Sequence, residues 1–215
     1  MKDIAIFGAG GFGKEIACLI HAINQSSASP RWNLLGFFDD SKPVGAEVSR
    51  YGKIIGNAAA LNNWPTPIDI VIAIGNPAVI CAIANGTTNP NVSFPNLIHP
   101  SLKMADENSF QLGKGNIIQN NCFISCDVKM GNFNVLNGDI TIAHDVVIGD
   151  YNVIMPNARI SGAVHIDERN LIGVGSIILQ CLHIGTGVKV GAGAVMLANP
   201  KDDCTHIGNP AKKFF

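Results

Sequence analysis

Apolar and polar positions follow different rules in the two halves of this 215-residue chain. In the first half, short runs that are apolar throughout alternate with segments of helical periodicity. The runs predict buried strands at Ile4–Phe7, Leu34–Phe38 and Ile68–Ile74, and the periodic segments predict helices at Lys14–Ile23 and Ala78–Ala84. Fully apolar strands separated by helices predict a parallel sheet that is covered by helices.

From Leu112 to Met196, every sixth residue is aliphatic and no insertion interrupts the pattern. A period of six fits neither an α-helix nor the alternation of a hairpin, but it is typical of a three-sided parallel β-helix whose coils each use eighteen residues. We therefore predict an α/β plus all-β chain, with a small Rossmann-like parallel-sheet domain at residues 1–100 and a parallel β-helix at residues 101–215. The fifteen ladder positions are Leu112, Ile118, Ile124, Met130, Leu136, Ile142, Ile148, Ile154, Ile160, Ile166, Ile172, Ile178, Ile184, Val190 and Met196.

Composition narrows the class of protein. Only 14% of residues are charged and the formal net charge is −1, so no broad electrostatic field exists to recruit nucleic acid or an anionic membrane. The apolar runs are too short to span a bilayer and the N-terminus has no secretory pattern, so we expect a cytoplasmic protein. The six cysteines form no CxxC pair, which favours reduced thiols packed as small hydrophobes.

Stacking of coils places residues that are eighteen apart in one column, about 4.8 Å from each other. His144 then lies between Cys126 and Gly162. A glycine beside the imidazole removes a side chain that would crowd it and exposes a backbone N–H, which is what acyl transfer needs: a base and an oxyanion donor. Asp145 could orient the ring. This interpretation assumes that the chain turns a corner between Ile142 and His144.

The N-terminal glycines suggest a second site. Gly8, Gly10 and Gly13 form a GxGxxG motif between a predicted strand and a predicted helix, and Asp39 and Asp40 end the next strand. Three interpretations remain open: a dinucleotide site, a helix N-terminus that holds the diphosphate of a nucleotide sugar, and a tight turn without a ligand. In the nucleotide-sugar interpretation, the two aspartates bind the base or the ribose. Residues 41–67 suggest no function.

Several segments together resemble the NeuD/PglD family of sugar acetyltransferases: GAGGFGKE, GFFDD, AIGNP, NGDITIAHD, GNPAKKFF and the six-residue ladder. The resemblance implies a left-handed β-helix that binds acetyl-CoA, a Rossmann-like domain that binds the sugar or nucleotide sugar, and a homotrimer with active sites between subunits. It implies acetylation of an amino or hydroxyl group for surface glycans. By resemblance, His144 is the general base, Asp145 stands where the family has Glu or Asp, Asn137 lies near the reacting sugar, and the amide of Gly162 faces the thioester carbonyl.

The resemblance also implies further contacts and one departure. Gly75 and Asn76 in the AIGNP turn are expected to bind substrate, and Gly162, Val174, Ala192 and Lys212 are expected to bind acetyl-CoA. Many family members have a second histidine where this chain has Val153, so the contact made by that histidine must be lost or supplied otherwise.

Other interpretations compete with this one. Cys126 could act as a nucleophile, although a packed thiol is more common. The chain could be a NAD(P)-dependent sugar oxidoreductase or a non-catalytic scaffold. His165 and His183 share a column, and trimeric β-helices of the gamma carbonic anhydrase type hold zinc between subunits. Because no third ligand is obvious in the sequence, we expect no metal.

Overall fold

A computed structural model describes residues 1–214 and contains two connected architectures. The first is a five-stranded, fully parallel sheet in the order β3-β2-β1-β4-β5. Helix α1 connects β1 to β2, and α3 connects β4 to β5. Its elements are β1 (Lys2–Phe7), α1 (Gly11–Ser26), β2 (Trp32–Phe38), the 3₁₀ helix η1 (Ser49–Tyr51), β3 (Ile54–Gly56), α2 (Ala58–Asn62), β4 (Ile68–Ile72), α3 (Pro77–Gly86) and β5 (Val92–Ser93).

The predicted strands and helices are all present, with shifted ends. Helix α1 begins at Gly11, three residues before the predicted start, because the glycines that signal a turn also form its first turn. Strand β4 ends at Ile72 instead of Ile74. Residues 41–67, which suggested no function, supply η1, the edge strand β3 and α2. No helix within residues 1–214 is long and apolar enough to cross a membrane.

The second architecture is a three-sided stack of two-residue parallel strands. Each ladder position is the second residue of a strand, and all are buried except the half-buried Leu112. Paired strands are eighteen residues apart, as in Val135 with Val153. The strands are β6 (Leu97–Ile98), β7 (Lys103–Met104), β8 (Gln111–Leu112), β9 (Ile117–Ile118), β10 (Phe123–Ile124), β11 (Lys129–Met130), β12 (Val135–Leu136), β13 (Thr141–Ile142), β14 (Val147–Ile148), β15 (Val153–Ile154), β16 (Arg159–Ile160), β17 (His165–Ile166), β18 (Leu171–Ile172), β19 (Ile177–Ile178), β20 (His183–Ile184), β21 (Lys189–Val190), β22 (Val195–Met196), β23 (Thr205–Ile207) and β24 (Lys212–Lys213).

Each side of the prism is one sheet. The first side contains β7, β10, β13, β16, β19 and β22; the second contains β8, β11, β14, β17 and β20; the third contains β6, β9, β12, β15, β18 and β21, extended by β23 and β24. This architecture confirms the predicted fold class, an α/β domain followed by a left-handed β-helix.

The coil begins earlier than the sequence ladder indicates. Strands β6 and β7 already belong to the third and first sides, and the 3₁₀ helix η2 (Glu107–Ser109) separates them from the uninterrupted ladder. From Met104 to Leu112 the spacing is eight, which hides the earlier strands from a search for period six. The division at residues 100 and 101 remains a prediction, but strand pairing places Leu97–Ile98 in the first coil.

The N-terminal domain covers the third side of the prism. Outward residues of this side, among them Ile117, Val135 and Val153, are buried in one apolar cluster with Ile16 and Ile20 of α1. The first and second sides are left open to solvent. The two domains therefore pack around a shared core, which leaves the corners beside the first side free to carry a site.

Candidate active site

His144 lies on the corner between the first and second sides. Strand β13 ends at Ile142 and β14 begins at Val147, and between them Asp145 adopts the left-handed conformation with φ 60°. The corner that the catalytic interpretation assumed is therefore present. It turns the imidazole away from the inward-facing Ile142, and 61% of the side chain is exposed.

Asp145 contacts the imidazole directly. Its Oδ2 lies 2.7 Å from Nδ1 of His144. A carboxylate at Nδ1 holds the ring proton on that nitrogen and leaves Nε2 as the acceptor. Because both side chains are more than half exposed, we assign this pair an orienting effect and no contribution to folding stability.

Gly162 lies directly beneath the ring, in the next coil. A Cβ added to Gly162 would lie 2.6 Å from both Cε1 and Nε2 of His144, so no side chain fits there unless the imidazole moves. The carbonyl of His144 accepts a hydrogen bond from the N–H of Ala163, which fixes the stacking of the two corners. Within residues 1–214, the N–H of Gly162 has no acceptor, as is also true of the corner N–H of His144. The coil geometry thus leaves a backbone donor beside the imidazole.

Asn137, Val174 and Ala192 lie on a different corner, between the third and first sides. Asn137 follows β12 immediately, one strand before His144, and it is 8% exposed. Its side chain accepts a hydrogen bond from Nε2 of Gln119 at 3.3 Å. Val174 and Ala192 stack on this same corner and are exposed. One face of the prism therefore separates these residues from His144 and Gly162 within a single chain.

A cavity beside Asn137 opens between helix α1 and the β-helix. It has a volume of about 510 Å³ and is lined by residues of both domains, including Glu15, His99 and Asp139. Oε2 of Glu15 lies 3.3 Å from Nε2 of Gln119, so the two domains are linked across this cavity. Glu15 carried no expectation from the sequence, because only the packing of α1 on the β-helix brings it to this place.

The glycines at the start of α1 have two kinds of surroundings. Gly8 has φ 109°, and an added Cβ would lie 2.7 Å from the carbonyl oxygen of Ala73; an added Cβ on Gly13 would overlap the carbonyl oxygen of Gly8. These two glycines allow β1, β4 and α1 to approach closely. Gly10, the residue that caps α1, and Gly11 face open space. The start of α1 is thus free to receive an anionic group.

Asp39 and Asp40 line a cavity of about 480 Å³ at the carboxyl ends of β1, β2 and β4. Its other walls are mostly apolar side chains of β1, of the segment after β4 and of α3. A cavity of this size with polar groups on one wall suits a planar base and its ribose. The predicted aspartates therefore lie together, at the sheet edge where α/β folds bind ligands.

Both aspartates are already hydrogen-bonded to the backbone. Oδ2 of Asp39 accepts from the N–H of Ala9 at 2.8 Å, and Oδ1 of Asp40 accepts from the N–H of Ala58 at 2.8 Å. Burial raises the pKa of Asp39, but hydrogen bonds from Ser41 and Ala9 and the charge of Lys42 outweigh burial and lower the pKa overall. Asp39 is therefore an acceptor that both shapes the glycine loop and remains ionised.

The other predicted contacts are dispersed. Gly75 and Asn76 line a separate cavity of about 530 Å³ that also includes Arg169 and Lys189 of the β-helix, and Oδ1 of Asn76 caps α3 by accepting from Ala78. Lys212 is exposed on β24. Val153 is 0% exposed in the interdomain core, so this chain fills the position with packing and not with a contact to a ligand.

One group was missed by sequence reasoning. Asp167 lies within hydrogen-bonding distance of both His165 and His183. The two histidines were expected to share a column. The carboxylate between them could not be predicted, because Asp167 follows β17 at a corner and its orientation depends on the coil geometry.

Comparisons with known proteins agree with this architecture. The PglD N-terminal domain matches residues 3–85. Among curated proteins, no sequence matches the chain. Several solved structures match over nearly the full length. The acetyltransferase domain of PglB from Neisseria gonorrhoeae FA1090 in complex with acetyl coenzyme A is 29% identical, with a TM-score of 0.85 and 99% of each chain covered.

WeeI from Acinetobacter baumannii AYE is 26% identical, with a TM-score of 0.85 and 100% of each chain covered. PerB from Caulobacter crescentus, solved with CoA and GDP-perosamine, is 24% identical, with a TM-score of 0.87; 100% of this chain and 98% of PerB are covered. At that identity PerB supports the fold alone. Residues 3–85 match the model of the PglD N-terminal domain, and the whole chain is similar in structure to the Neisseria PglB acetyltransferase domain and to WeeI, which supports the resemblance that its motifs indicated.

Proposed function

We propose that this protein is an acetyl-CoA-dependent acetyltransferase that modifies an amino or hydroxyl group of a nucleotide-linked sugar used for surface glycans. The observation that carries the proposal is the imidazole of His144 stacked on Gly162 and bonded to Asp145 at an exposed corner. One solved relative supports the acyl donor: the Neisseria domain was solved with acetyl coenzyme A. The matched families indicate no metal cofactor for the transfer.

The geometry supports a direct transfer. Nε2 of His144 accepts the proton of the sugar amine or hydroxyl while the nitrogen or oxygen lone pair attacks the thioester carbonyl carbon. The N–H of Gly162 stabilises the oxyanion. When the tetrahedral adduct collapses, the carbon–sulfur bond breaks and the thiolate of CoA takes the proton from the imidazolium. Asp145 stabilises that imidazolium through Nδ1, and no covalent enzyme intermediate is required.

The N-terminal domain supplies the acceptor site in this proposal. The cavity at Asp39 and Asp40 holds the base and ribose, and the open N-terminus of α1 at Gly10 and Gly11 holds the diphosphate. The sugar then extends toward the cavity that contains Glu15 and Asn137.

We infer that the active site is completed by a second copy of the chain in a cyclic trimer. His144 and Gly162 lie on one corner of the first side, and Asn137, Val174 and Ala192 lie on the other. The first side between them exposes large apolar side chains, among them Phe123, Ile177 and Leu179. Packing this face against a neighbour removes it from water and brings opposite corners of two copies together. Because nucleotide sugars and acetyl-CoA are cytoplasmic metabolites, we propose a cytoplasmic location.

An acetyl-transfer assay tests the proposal. Purified protein is incubated with acetyl-CoA and a panel of UDP-, GDP- and CMP-linked amino and neutral sugars, and CoA release and acetylated product are both measured. His144→Ala is expected to lower turnover about 10²- to 10⁴-fold while CoA binding persists. Cys126→Ser, in the same column, is expected to keep full activity. An unimpaired His144→Ala variant, or an inactive Cys126→Ser variant, would contradict the assigned mechanism.

Two other classes make different predictions in the same panel. A nicotinamide-dependent sugar oxidoreductase retains NAD(P) and has no affinity for CoA. A non-catalytic scaffold is stabilised by neither cofactor. Thermal unfolding with acetyl-CoA, NAD(P) and each nucleotide sugar separates the three classes, because only a ligand that binds the folded state raises its unfolding temperature.

A further inference from the structure

A second cluster of polar side chains lies on the second side of the prism. His165 begins β17 and His183 begins β20, and the two residues are paired in register on neighbouring strands. Their rings meet edge to face with centroids 4.9 Å apart. Asp167 follows β17 immediately. The mechanism proposed above uses none of these three residues.

The carboxylate of Asp167 contacts both imidazoles. Its Oδ1 lies 3.2 Å from Nε2 of His165, and its Oδ2 lies 2.9 Å from Nε2 of His183. One candidate ligand atom from each of the three residues lies within 4.8 Å of the others. All three side chains are partly exposed, at 51%, 54% and 34% for His165, His183 and Asp167 respectively. Solvent can therefore reach the space between them.

This donor set matches the chemistry of a borderline divalent ion. Zinc takes imidazole nitrogen and carboxylate oxygen, with bonds of about 2.0–2.2 Å, so tetrahedral ligands lie about 3.3–3.5 Å from each other. The contacts of 3.2 and 2.9 Å involve different oxygens of the carboxylate, and each is close to that separation. The other ligand atoms lie within 4.8 Å of one another, and rotation of the exposed side chains is enough to bring them to the same separation. We propose that His165, Asp167 and His183 bind one Zn²⁺ ion, with water in the open position.

The coil geometry makes this a preorganised set. Hydrogen bonds between the paired strands β17 and β20 hold the backbones of the two histidines one coil apart. The backbone carbonyl of Asp167 accepts a hydrogen bond from Nδ2 of Asn152 at 2.8 Å. In the column of Asp167, the residues one coil below and above are Gly149 and Gly185, so no side chain from either position covers the carboxylate. Because the scaffold already fixes the backbone of the three ligands, only their side-chain rotamers are ordered when they bind an ion.

This site goes beyond the proposed acetyl transfer and is separate from it. His144 lies on the corner before β14, while the cluster lies on β17, β20 and the far edge of the second side. The bound ion is expected to stabilise the stacked coils that hold it, since an ion that binds only the folded state adds to folding stability.

To test the site, the full, tag-free chain is first treated with a chelator, which is then removed, and is titrated with zinc chloride in a calorimeter. We expect one Zn²⁺ per chain. His183→Gln and Asp167→Asn are each expected to weaken binding by about tenfold or more, because each removes or weakens one ligand. His21→Gln, which changes a histidine on α1, is the matched control and is expected to leave zinc affinity unchanged. Magnesium, which prefers an all-oxygen shell, is expected to give no binding.

Diffraction at the zinc edge gives a second measurement that needs no variant. Crystals of the unaltered chain with one equivalent of zinc are expected to show an anomalous peak between His165, Asp167 and His183. A peak only elsewhere, no binding, several ions of equal affinity, or unchanged affinity in both cluster variants would overturn the proposal. Acetyl transfer is measured in parallel: activity with the site empty supports its separation from the transfer, and failure of one proposal leaves the other intact.

Discussion

The His-Asp pair combines a structural and a chemical requirement. Asp145 occupies a left-handed corner, and such a corner recurs at every sixth residue from Gly115 to Gly193. Aspartate, asparagine and glycine tolerate this conformation best, so an aspartate at position 145 has a conformational reason apart from any reaction. His144 has no such conformational reason. It is exposed, it contacts Asp145, and its ring occupies the space that a side chain at Gly162 would fill. The proposed chemistry therefore depends on the combination of these two residues with Gly162.

Gly162→Ala tests the stacked geometry. The added Cβ meets only the flexible end of His144, and Gly162 has no positive φ, so the backbone tolerates alanine. We expect a large loss of turnover, because the imidazole must move, together with an almost unchanged unfolding temperature. Steady-state kinetics and thermal unfolding check the two parts. Full activity would show that the ring does not need its observed position.

Cys122 gives a prediction about pH. Burial raises the pKa of this thiol to about 11, and the charge of Asp139 adds to the effect, although the backbone at Ile140 opposes it. In the unfolded chain the thiol ionises near its ordinary pKa of 9.0, so the folded state binds more protons above that pH. Its contribution to stability is therefore present below pH 9 and is lost between pH 9 and about 11.

Denaturant unfolding across pH 8–11 measures this loss, and Cys122→Ala is expected to flatten that part of the profile relative to the parent. Thiol labelling at pH 8 is the companion measurement: the exposed Cys18 and Cys181 should react, while Cys122 should not. Rapid labelling of Cys122 in the folded protein would contradict the assigned burial.

At the scale of elements, a buried asparagine ladder holds the coils in register. Asn116, Asn134, Asn152 and Asn170 are each 0% exposed and are spaced by eighteen. Oδ1 of each of the first three accepts the backbone N–H of the next at 2.9 Å, and Oδ1 of Asn170 accepts from Val188 at 2.7 Å. An amide suits this column because it both accepts and donates within a dry corner. The ladder therefore stabilises the turn between the second and third sides.

Asn152→Ala is expected to lower the free energy of unfolding by about 2–6 kcal/mol. The change leaves the N–H of Asn170 and the carbonyl of Asp167 without their buried partner, and each such group costs about 1–3 kcal/mol. The exposed Asn108→Ala is the control, with an effect within about 0.5 kcal/mol. Denaturant unfolding compares the two variants. Equal stability would mean that water or relaxation replaces the ladder.

The elements that could be predicted are those whose pattern is local and repeated. The aliphatic ladder identifies every strand from β8 to β22, because each two-residue strand must direct one side chain inward at the same point of the coil. Strands β6 and β7 could not be found this way, since η2 breaks the period. The predicted start of helix α1 was too late for a different reason: glycine is compatible with a turn and with a first helical turn, and sequence alone cannot distinguish them.

On the scale of the whole molecule, the candidate site is divided. The apolar third side is covered by the N-terminal domain, whereas nothing in the described part of the chain, residues 1–214, covers the exposed apolar positions of the first side. The residues expected to act together lie at opposite edges of that open face. Assembly is therefore expected to create the active site as well as to bury apolar surface.

Mixing of inactive variants tests this arrangement. Asn137→Ala and His144→Ala homotrimers are each expected to be nearly inactive, whereas trimers reassembled from a mixture contain some sites with both residues intact and recover part of the parental turnover. Sedimentation verifies the trimer, and unmixed samples treated identically are the control. No recovery from a verified mixed trimer would place both residues in one subunit.

The sequence by itself determined the fold class, the coil period and the column that joins His144 to Gly162. These follow from local rules: burial fixes which residues alternate, and an eighteen-residue coil converts sequence spacing into spatial neighbours. The tertiary structure decided the rest. It placed Asp167 between His165 and His183, brought Glu15 of α1 to Gln119, and separated Asn137 from His144. These relations depend on corner conformations and on domain packing, which no periodicity in the chain records.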